Sequence, residues 1–245
     1  MAFDKVVDSA VLNANLKAVA DAIRAKTGTT SSLTFPSDFV SKINGIEDKD
    51  DYLASVINKT CTELVNDKIK VLTSIFQQGN TNLVTVDLPA LTETGESVFS
   101  GCNNITTLNL PSLAKMTSGT FGSVNKITQL CLPSLVTMKG WGYNFNQCYG
   151  FKRMYFPKLE NEIGNSDFNN CNQLETFILG ANVVVPMTNA NAFNQTPIKL
   201  YNNKVGYVYV PRARVDDYKK ATNWSTYASQ IRAIEDYPEV LEGWT

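Results

Sequence analysis

The chain has 245 residues, of which 43% are hydrophobic and 18% are charged, a composition typical of a folded globular protein. Its formal net charge of −1 argues against a nucleic-acid-binding protein, which needs a basic surface. It contains no histidine, so the commonest general base of enzymes is missing. It also contains no run of 18 apolar residues, so the sequence predicts no membrane span.

The first predicted element is a helix over residues 9–26. Its large apolar residues recur at steps of four, three and four, which places them in one narrow stripe: Leu12, Leu16, Val19 and Ile23. A second short helix follows and ends near Asn44-Gly45. We therefore predict a helical attachment or oligomerisation module over residues 1–46 and an acidic linker over residues 47–54. The alternative is that the two helices form an N-terminal cap on the neighbouring domain.

From about residue 55 onward, the sequence repeats itself every 22–24 residues. Each copy opens on Phe and later carries alternating apolar residues that end at a Pro. The opening residues are Phe76, Phe99, Phe121, Phe145 and Phe168. The alternation predicts a short strand with one buried face, which the Pro ends. Because one copy cannot bury its apolar row alone, the period predicts a solenoid with an internal ladder of Phe rings.

A second recurring position follows each opening Phe and holds a small residue. It is occupied in turn by Gly79, Cys102, Val124, Cys148, Cys171 and Thr196. Three of the five cysteines fall there, which predicts free buried thiols rather than disulfides. Cys131 is predicted on the outward strand face, beside Asn109 and Tyr155. No Cys or His spacing is typical of a metal site, and we expect no metal and no cofactor.

This pattern resembles the BspA-type leucine-rich repeat family, whose copies read roughly A-F-x-x-C-x-x-L-x-x-L-x-L-P. The resemblance implies an α/β-type repeat solenoid over residues 55–211, built from short parallel strands. It also implies that Tyr207–Val210 is the last strand and that residues 212–245 form a C-terminal cap and tail. A capping helix would then cover the open end of the solenoid with three aromatic side chains: Tyr218, Trp224 and Tyr227.

The N-terminal segment carries a second resemblance. Its sequence Leu16-Lys-Ala-Val-Ala-Asp-Ala-Ile23-Arg-Ala-Lys-Thr-Gly28, followed by Phe35-Pro36, looks like the opening of many tailed-phage tail and baseplate proteins. The resemblance implies that this module attaches a variable C-terminal domain to a virion. It implies nothing about chemistry.

One copy departs from the repeat pattern and supplies the candidate binding residues. The step into Phe145 is the longest of the four, and its additional residues include aromatic ones without counterparts in other copies. Tryptophan, tyrosine and arginine at one irregular place can form a sugar-stacking platform or a protein hot spot. The candidates are Trp141, Tyr143, Tyr149, Arg153 and Tyr155. The alternative is that Trp141 only fills a gap left by the longer copy.

Catalysis is not expected from the remaining polar residues. The carboxylate pairs Glu160/Glu162 and Asp216/Asp217 are predicted in a loop and on a helix surface, without a partner base. The loop Gly164–Asp167 offers too few carboxylates to hold a calcium ion. We therefore expect a non-enzymatic protein.

The combined patterns predict a structural virion protein of a tailed bacteriophage, in the tail or baseplate. Its repeats would bind a host-surface glycan or protein, and residues 1–46 would contact other virion proteins, as a homotrimer if tail symmetry is followed. We expect no nucleic acid as a partner and no membrane insertion. The first residues show no apolar leader, which favours assembly in the host cytoplasm. The alternatives are a BspA-like bacterial surface adhesin and a decoration or assembly subunit without a receptor.

Overall fold

A computed structural model gives the fold of the protein and describes residues 52–244. The chain divides into two units between Asn58 and Lys59. In the first unit the structure describes helix α1 (Tyr52–Ile57), so the end of the predicted linker 47–54 is helical. The predicted attachment module lies outside the described residues, together with its apolar stripe: Leu12, Leu16, Val19 and Ile23.

The second unit is built from short strands that recur with the sequence period. In chain order they are β1 (Glu63–Val65), β2 (Val71–Leu72), β3 (Thr85–Asp87), β4 (Glu93–Thr94), β5 (Thr107–Asn109), β6 (Lys115–Met116), β7 (Gln129–Cys131), β8 (Thr137–Met138), β9 (Arg153–Phe156), β10 (Thr176–Leu179), β11 (Tyr207–Val210) and β12 (Ile231–Ala233). Each strand is only two to four residues long because a Pro or a turn ends it in every copy.

The strands line two sides of a solenoid. The front face consists of β1, β3, β5, β7 and β9 to β12, and the side face consists of β2, β4, β6 and β8. All pairings are parallel and join positions one copy apart, such as Thr85 with Thr107 and Arg153 with Thr176. This arrangement confirms the predicted α/β-type repeat solenoid.

The predicted ladder of Phe rings runs through the core. Its fully buried members are Phe99, Phe121, Phe145, Phe168 and Phe193. Successive ring centroids are 5.6, 5.6, 5.5 and 5.0 Å apart, and the rings lie within 14° of parallel. The ladder therefore joins the copies through continuous aromatic stacking.

The first copy differs from the prediction, because Gln77 and not Phe76 occupies the Phe position. The N–H of Gln77 donates to the carbonyl of Val98, just as the N–H of Phe99 donates to that of Thr120. Gln77 is fully buried, whereas Phe76 is half-buried. The predicted alignment of this copy is therefore wrong by one residue.

The same shift places Asn80, and not Gly79, in the small-residue position of the first copy. The Asn80 amide donates to Gln77 Oε1 at 2.9 Å and to the carbonyl of Cys61 at 3.1 Å. Two polar side chains can occupy core positions here because they satisfy each other's hydrogen bonds. An apolar pattern does not reveal such a substitution.

The thiols of the repeated cysteine position act as hydrogen-bond donors. Their Sγ atoms lie 3.0–3.1 Å from the backbone carbonyl of the Phe-position residue one copy earlier, in the pairs Cys102 with Gln77, Cys148 with Phe121 and Cys171 with Phe145. Burial raises the pKa of Cys102 to about 12, so its thiol stays protonated and can donate. All five cysteines are free, and the three at the repeated position are buried, as predicted.

The C-terminal end confirms the predicted cap and corrects its length. Strand β11 is not the last strand, since β12 pairs with it in parallel. The capping helix is short, α2 (Val215–Lys220), and after a break at residues 221–223 a separate 3-10 helix follows over Trp224–Gln230. Further 3-10 turns are Pro197–Lys199, Tyr201–Asn203, Arg212–Arg214, Ile234–Asp236 and Pro238–Leu241.

Three buried aromatic side chains close the solenoid at this end. They are Tyr218, Trp224 and Tyr227. The rings of Trp224 and Tyr227 lie 6.0 and 5.5 Å from Phe193, so the cap extends the Phe ladder. The Trp224 indole N–H donates to the carbonyl of Val185 at 2.7 Å, which satisfies its buried polar atom.

Candidate binding surfaces

The structure distributes the five predicted binding residues over three segments of the repeat. Trp141 and Tyr143 lie in the turn that follows β8, and Tyr149 lies in the turn before β9. Arg153 and Tyr155 lie within β9 on the front face. These three places have different surroundings.

Trp141 projects from a turn whose backbone is fixed. Its side chain is 84% exposed, the highest value among the large apolar residues of the described part of the chain. The backbone N–H of Trp141 donates to Ser118 Oγ at 2.6 Å. At Gly142 (φ +91°) a Cβ would lie 2.0 Å from the Asn165 carbonyl oxygen, so only glycine fits. Trp141 therefore does not fill a gap; the turn holds its indole in solvent.

Two further aromatic side chains are partly exposed near the same copy. Tyr143 is 45% exposed, and its hydroxyl accepts a hydrogen bond from the Asn165 amide at 3.4 Å. Tyr149 is 44% exposed, and its backbone N–H donates to Asn125 Oδ1. Both rings offer apolar area with a polar end, which suits contact with a ligand.

Arg153 and Tyr155 are engaged within the chain. They face residues 234–244, which cross the front face and are called here the C-terminal strap. Arg153 Nη2 donates to the carbonyls of Val240 and Glu242 at 2.9 and 3.0 Å. The Arg153 guanidinium lies 4.6 Å from the Trp244 ring centroid, and the Tyr155 ring lies 5.7 Å from it. These two residues therefore anchor the strap.

An apolar cluster holds the rest of the strap on the front face. Ile178 and Tyr209 of the sheet and Val240 of the strap are buried together. The cluster is completed by half-buried side chains: Tyr155, Tyr207, Ile234, Tyr237 and Trp244. The sequence indicated that this face is covered, because Ile178 is apolar at an outward position where two earlier copies carry Asp87 and Asn109.

Next to the strap, the front face opens into a groove between β5 and β7. Its cavity has a volume of about 270 Å³. The described residues that line it are Leu108, Asn109, Leu110, Pro111, Gln129, Leu130, Cys131, Pro133 and Trp244. Cys131 is half-exposed and aligns with Tyr155, as predicted. Sequence reasoning did not find this groove, because the repeat pattern continues through it without a break.

Asp167 is fully buried and serves the fold. Its Oδ1 accepts from the backbone N–H and the amide of Asn144, both at 3.0 Å, and its Oδ2 accepts from the N–H of Gly164 at 2.6 Å. Burial raises the pKa of its carboxyl. In the part of the chain that the structure describes, no group of three potential metal ligands comes together.

The helices among residues 52–244 include none of the length and apolarity that a bilayer span requires. The geometry instead defines a solenoid of stacked parallel strands that offers broad side surfaces, which is the architecture of a leucine-rich repeat protein. The chain matches the BspA type leucine rich repeat region in six copies over residues 70–199, and it belongs to that family.

One solved structure to which the chain is similar is that of the leucine rich repeat protein of T. pallidum. It shares 18% sequence identity with this chain at a TM-score of 0.41, over 57% of this chain and 79% of that one. No curated protein matches the sequence.

Proposed function

We propose that this protein is a non-enzymatic binding protein whose repeats recognise a cell-surface glycan or protein. The observation that carries the proposal is the indole of Trp141, 84% exposed on a rigid turn. Because Ser118 and Gly142 constrain the backbone of this turn, binding has to order little more than the indole itself. Exposed tryptophans of this kind are typical energetic centres of interfaces.

We further propose that residues 1–46 attach the solenoid to the tail or baseplate of a tailed phage. The support is the resemblance of the segment from Leu16 to Gly28 to the opening of such proteins. The second candidate is an adhesin on a bacterial surface, which membership in the BspA type family favours. In both cases the solenoid contacts a cell surface, and the two candidates differ in where the N-terminal segment is anchored.

Binding of the purified, fluorescently labelled full chain to cells of the source culture tests the first proposal. Trp141→Ala should weaken cell binding about 30-fold, the effect of removing an interface hot spot of about 2 kcal/mol. Val205→Ala is the control, because Val205 is also exposed but lies outside the aromatic turn. Equal binding by the native protein and Trp141→Ala would refute the role of this turn.

Gold-labelled antibody against residues 59–244, imaged on phage particles and on cells, tests the anchoring proposal. Label at the tail tip supports the tail assignment. Label on the capsid or neck points to a decoration subunit, and label on cell envelopes alone points to the adhesin.

A further inference from the structure

The front face is interrupted between β5 and β7. In the preceding pair of copies, the N–H groups of Thr106 and Thr107 both donate to the carbonyl of Val84. One copy later the corresponding donors are the N–H groups of Thr128 and Gln129. In the described part of the chain, these two groups make no backbone hydrogen bond to the carbonyl of Thr106.

The opposite end of the interruption shows the same loss of pairing. The N–H of Leu88 donates to the carbonyl of Asn109 at 3.0 Å, joining β3 to β5. Within residues 52–244 the equivalent hydrogen bond, from the N–H of Leu110 to the carbonyl of Cys131, is missing. The opening therefore presents both unpaired backbone donors and unpaired backbone acceptors, which need water or a ligand to satisfy them.

The interruption is local, because the copies stay joined around it. The N–H of Gly101 donates to Gly122 on one side of the opening, and the N–H of Val136 donates to Ala114 on the other, at 2.8 and 2.9 Å. The side-face pairing of Lys115 with Thr137 is also intact. Since the opening is closed at both ends, a polypeptide cannot run through it along the strands. It accepts a compact ligand from the solvent side.

The lining specifies the chemistry of that ligand. Among the described residues, none that lines the groove carries a charge. Asn109 and Gln129 add amide carbonyl oxygens to the unpaired backbone groups, while Leu108 and Trp244 supply apolar walls. The amide nitrogens are already engaged: Asn109 Nδ2 donates to Asp87 Oδ1 at 2.7 Å, and Gln129 Nε2 donates to the carbonyl of Gly243 in the strap at 3.2 Å. Leu108 is half-buried, whereas its counterpart Val86 in the previous copy is fully buried, because the opening uncovers it.

We propose that this groove binds one neutral sugar residue, the terminal unit of a glycan. A sugar ring carries hydroxyl groups that both donate and accept, and it presents apolar C–H faces, which matches a small pocket with few convergent polar groups. The groove volume of about 270 Å³ suits one ring rather than a chain of them. This inference rests on the proposed function and names the ligand class that the front face takes.

Cys131 provides a direct readout of occupancy in the full-length protein. It lines the groove and is half-exposed, whereas the other four cysteines are buried. The probes are N-acetylglucosamine, galactose and rhamnose, with trialanine as the peptide comparison. At least one sugar should slow alkylation of Cys131 by iodoacetamide and should give saturation-transfer NMR signals, while trialanine should do neither.

Variants locate the binding. Asn109→Ala and Gln129→Ala should each weaken sugar binding about tenfold, the effect of losing one well-placed polar contact. Cys131→Tyr places in the groove the side chain that the next copy carries at this position, and should abolish the NMR signals. Asn103→Ala, an exposed asparagine outside the groove, is the control and should bind sugar unchanged.

The groove proposal is overturned if none of the three sugars protects Cys131, if trialanine protects it instead, or if Cys131→Tyr still binds sugar. Each of these results is separate from the cell-binding test, because Trp141 does not line the groove. Loss of cell binding in Trp141→Ala together with no sugar protection would keep the proposed function and remove the sugar site. Sugar protection together with native cell binding in Trp141→Ala would keep the sugar site and remove the role of the Trp141 turn.

Discussion

Replacing Phe145 by alanine tests whether the Phe ladder holds the solenoid together. Phe145 is fully buried in the middle of the ladder. Its ring stacks on Phe121 at 5.6 Å and on Phe168 at 5.5 Å, and the edge of Phe151 packs against it at 6.1 Å. The substitution would leave a cavity lined by the four rings that contact Phe145: Phe121, Phe151, Phe156 and Phe168.

The expected loss is at the upper end of the range for such substitutions. Truncating a buried Phe to Ala costs about 3–5 kcal/mol, and a ring with stacked neighbours on both sides has little room to relax. We expect the free energy of unfolding to fall by about 5 kcal/mol and the melting temperature to fall by about 10–20 °C in a domain of this size. Since each copy contacts only its neighbours, the two ends of the solenoid should also unfold less cooperatively, with a lower denaturant m value.

Urea denaturation followed by circular dichroism measures both effects. Tyr149→Ala is the matched control, because it removes a partly exposed aromatic side chain from the same copy and should change the free energy of unfolding by no more than about 0.5 kcal/mol. A loss in Phe145→Ala below about 1.5 kcal/mol would refute the reasoning, since the ladder would then not be a main source of stability.

Three further predictions concern buried polar groups and the strap. Asp167→Ala should lower the free energy of unfolding by about 3 kcal/mol in urea titrations, because three buried donors lose their acceptor. Burial raises the pKa of Asp167 above its ordinary 3.8, so the stability of the native protein relative to Asp167→Ala should decrease as the pH rises from 3.8 through the folded-state pKa. A difference in melting temperature between the native protein and the variant that does not change with pH would contradict this. Burial also raises the pKa of Tyr218 from 10.0 to about 12, so its contribution should be present below pH 10 and lost as the pH rises to 12, and Tyr218→Phe should melt with a weaker alkaline dependence. Arg153→Ala should release the strap and speed cleavage by a glutamate-specific protease after Glu239 several-fold, and an unchanged rate would show that the apolar cluster holds the strap without this anchor.

Much of the architecture follows from short-range patterns in the sequence. The period of Phe99, Phe121 and Phe145, with the alternation before each Pro, predicts the strands, the stacking and the buried thiols. These features are predictable because each copy makes the same local contacts as its neighbours, so one rule repeated along the chain describes the core. The first copy does not follow this rule. There the amide of Asn80 donates to Gln77 Oε1, and this hydrogen bond replaces apolar packing, which a hydrophobic pattern cannot predict.

The binding surfaces could be predicted from the sequence only in part. The sequence indicated an unusual concentration of aromatic residues, and Trp141 and Tyr143 are exposed as that reading required. It also predicted Arg153 and Tyr155 as binding residues, whereas both contact the strap.

The solenoid, its period, its aromatic core and its C-terminal cap could be derived from the sequence, because they depend on positions that recur within each copy. Which part of the front face is covered and which is open depends on tertiary contacts outside the repeat. The hydrogen bond from Arg153 to the carbonyl of Val240 joins residues 87 positions apart and does not recur from copy to copy, so the repeat period does not predict it. The groove between β5 and β7 is likewise a departure in backbone pairing and not in residue type, which is why a pattern of side chains could not reveal it.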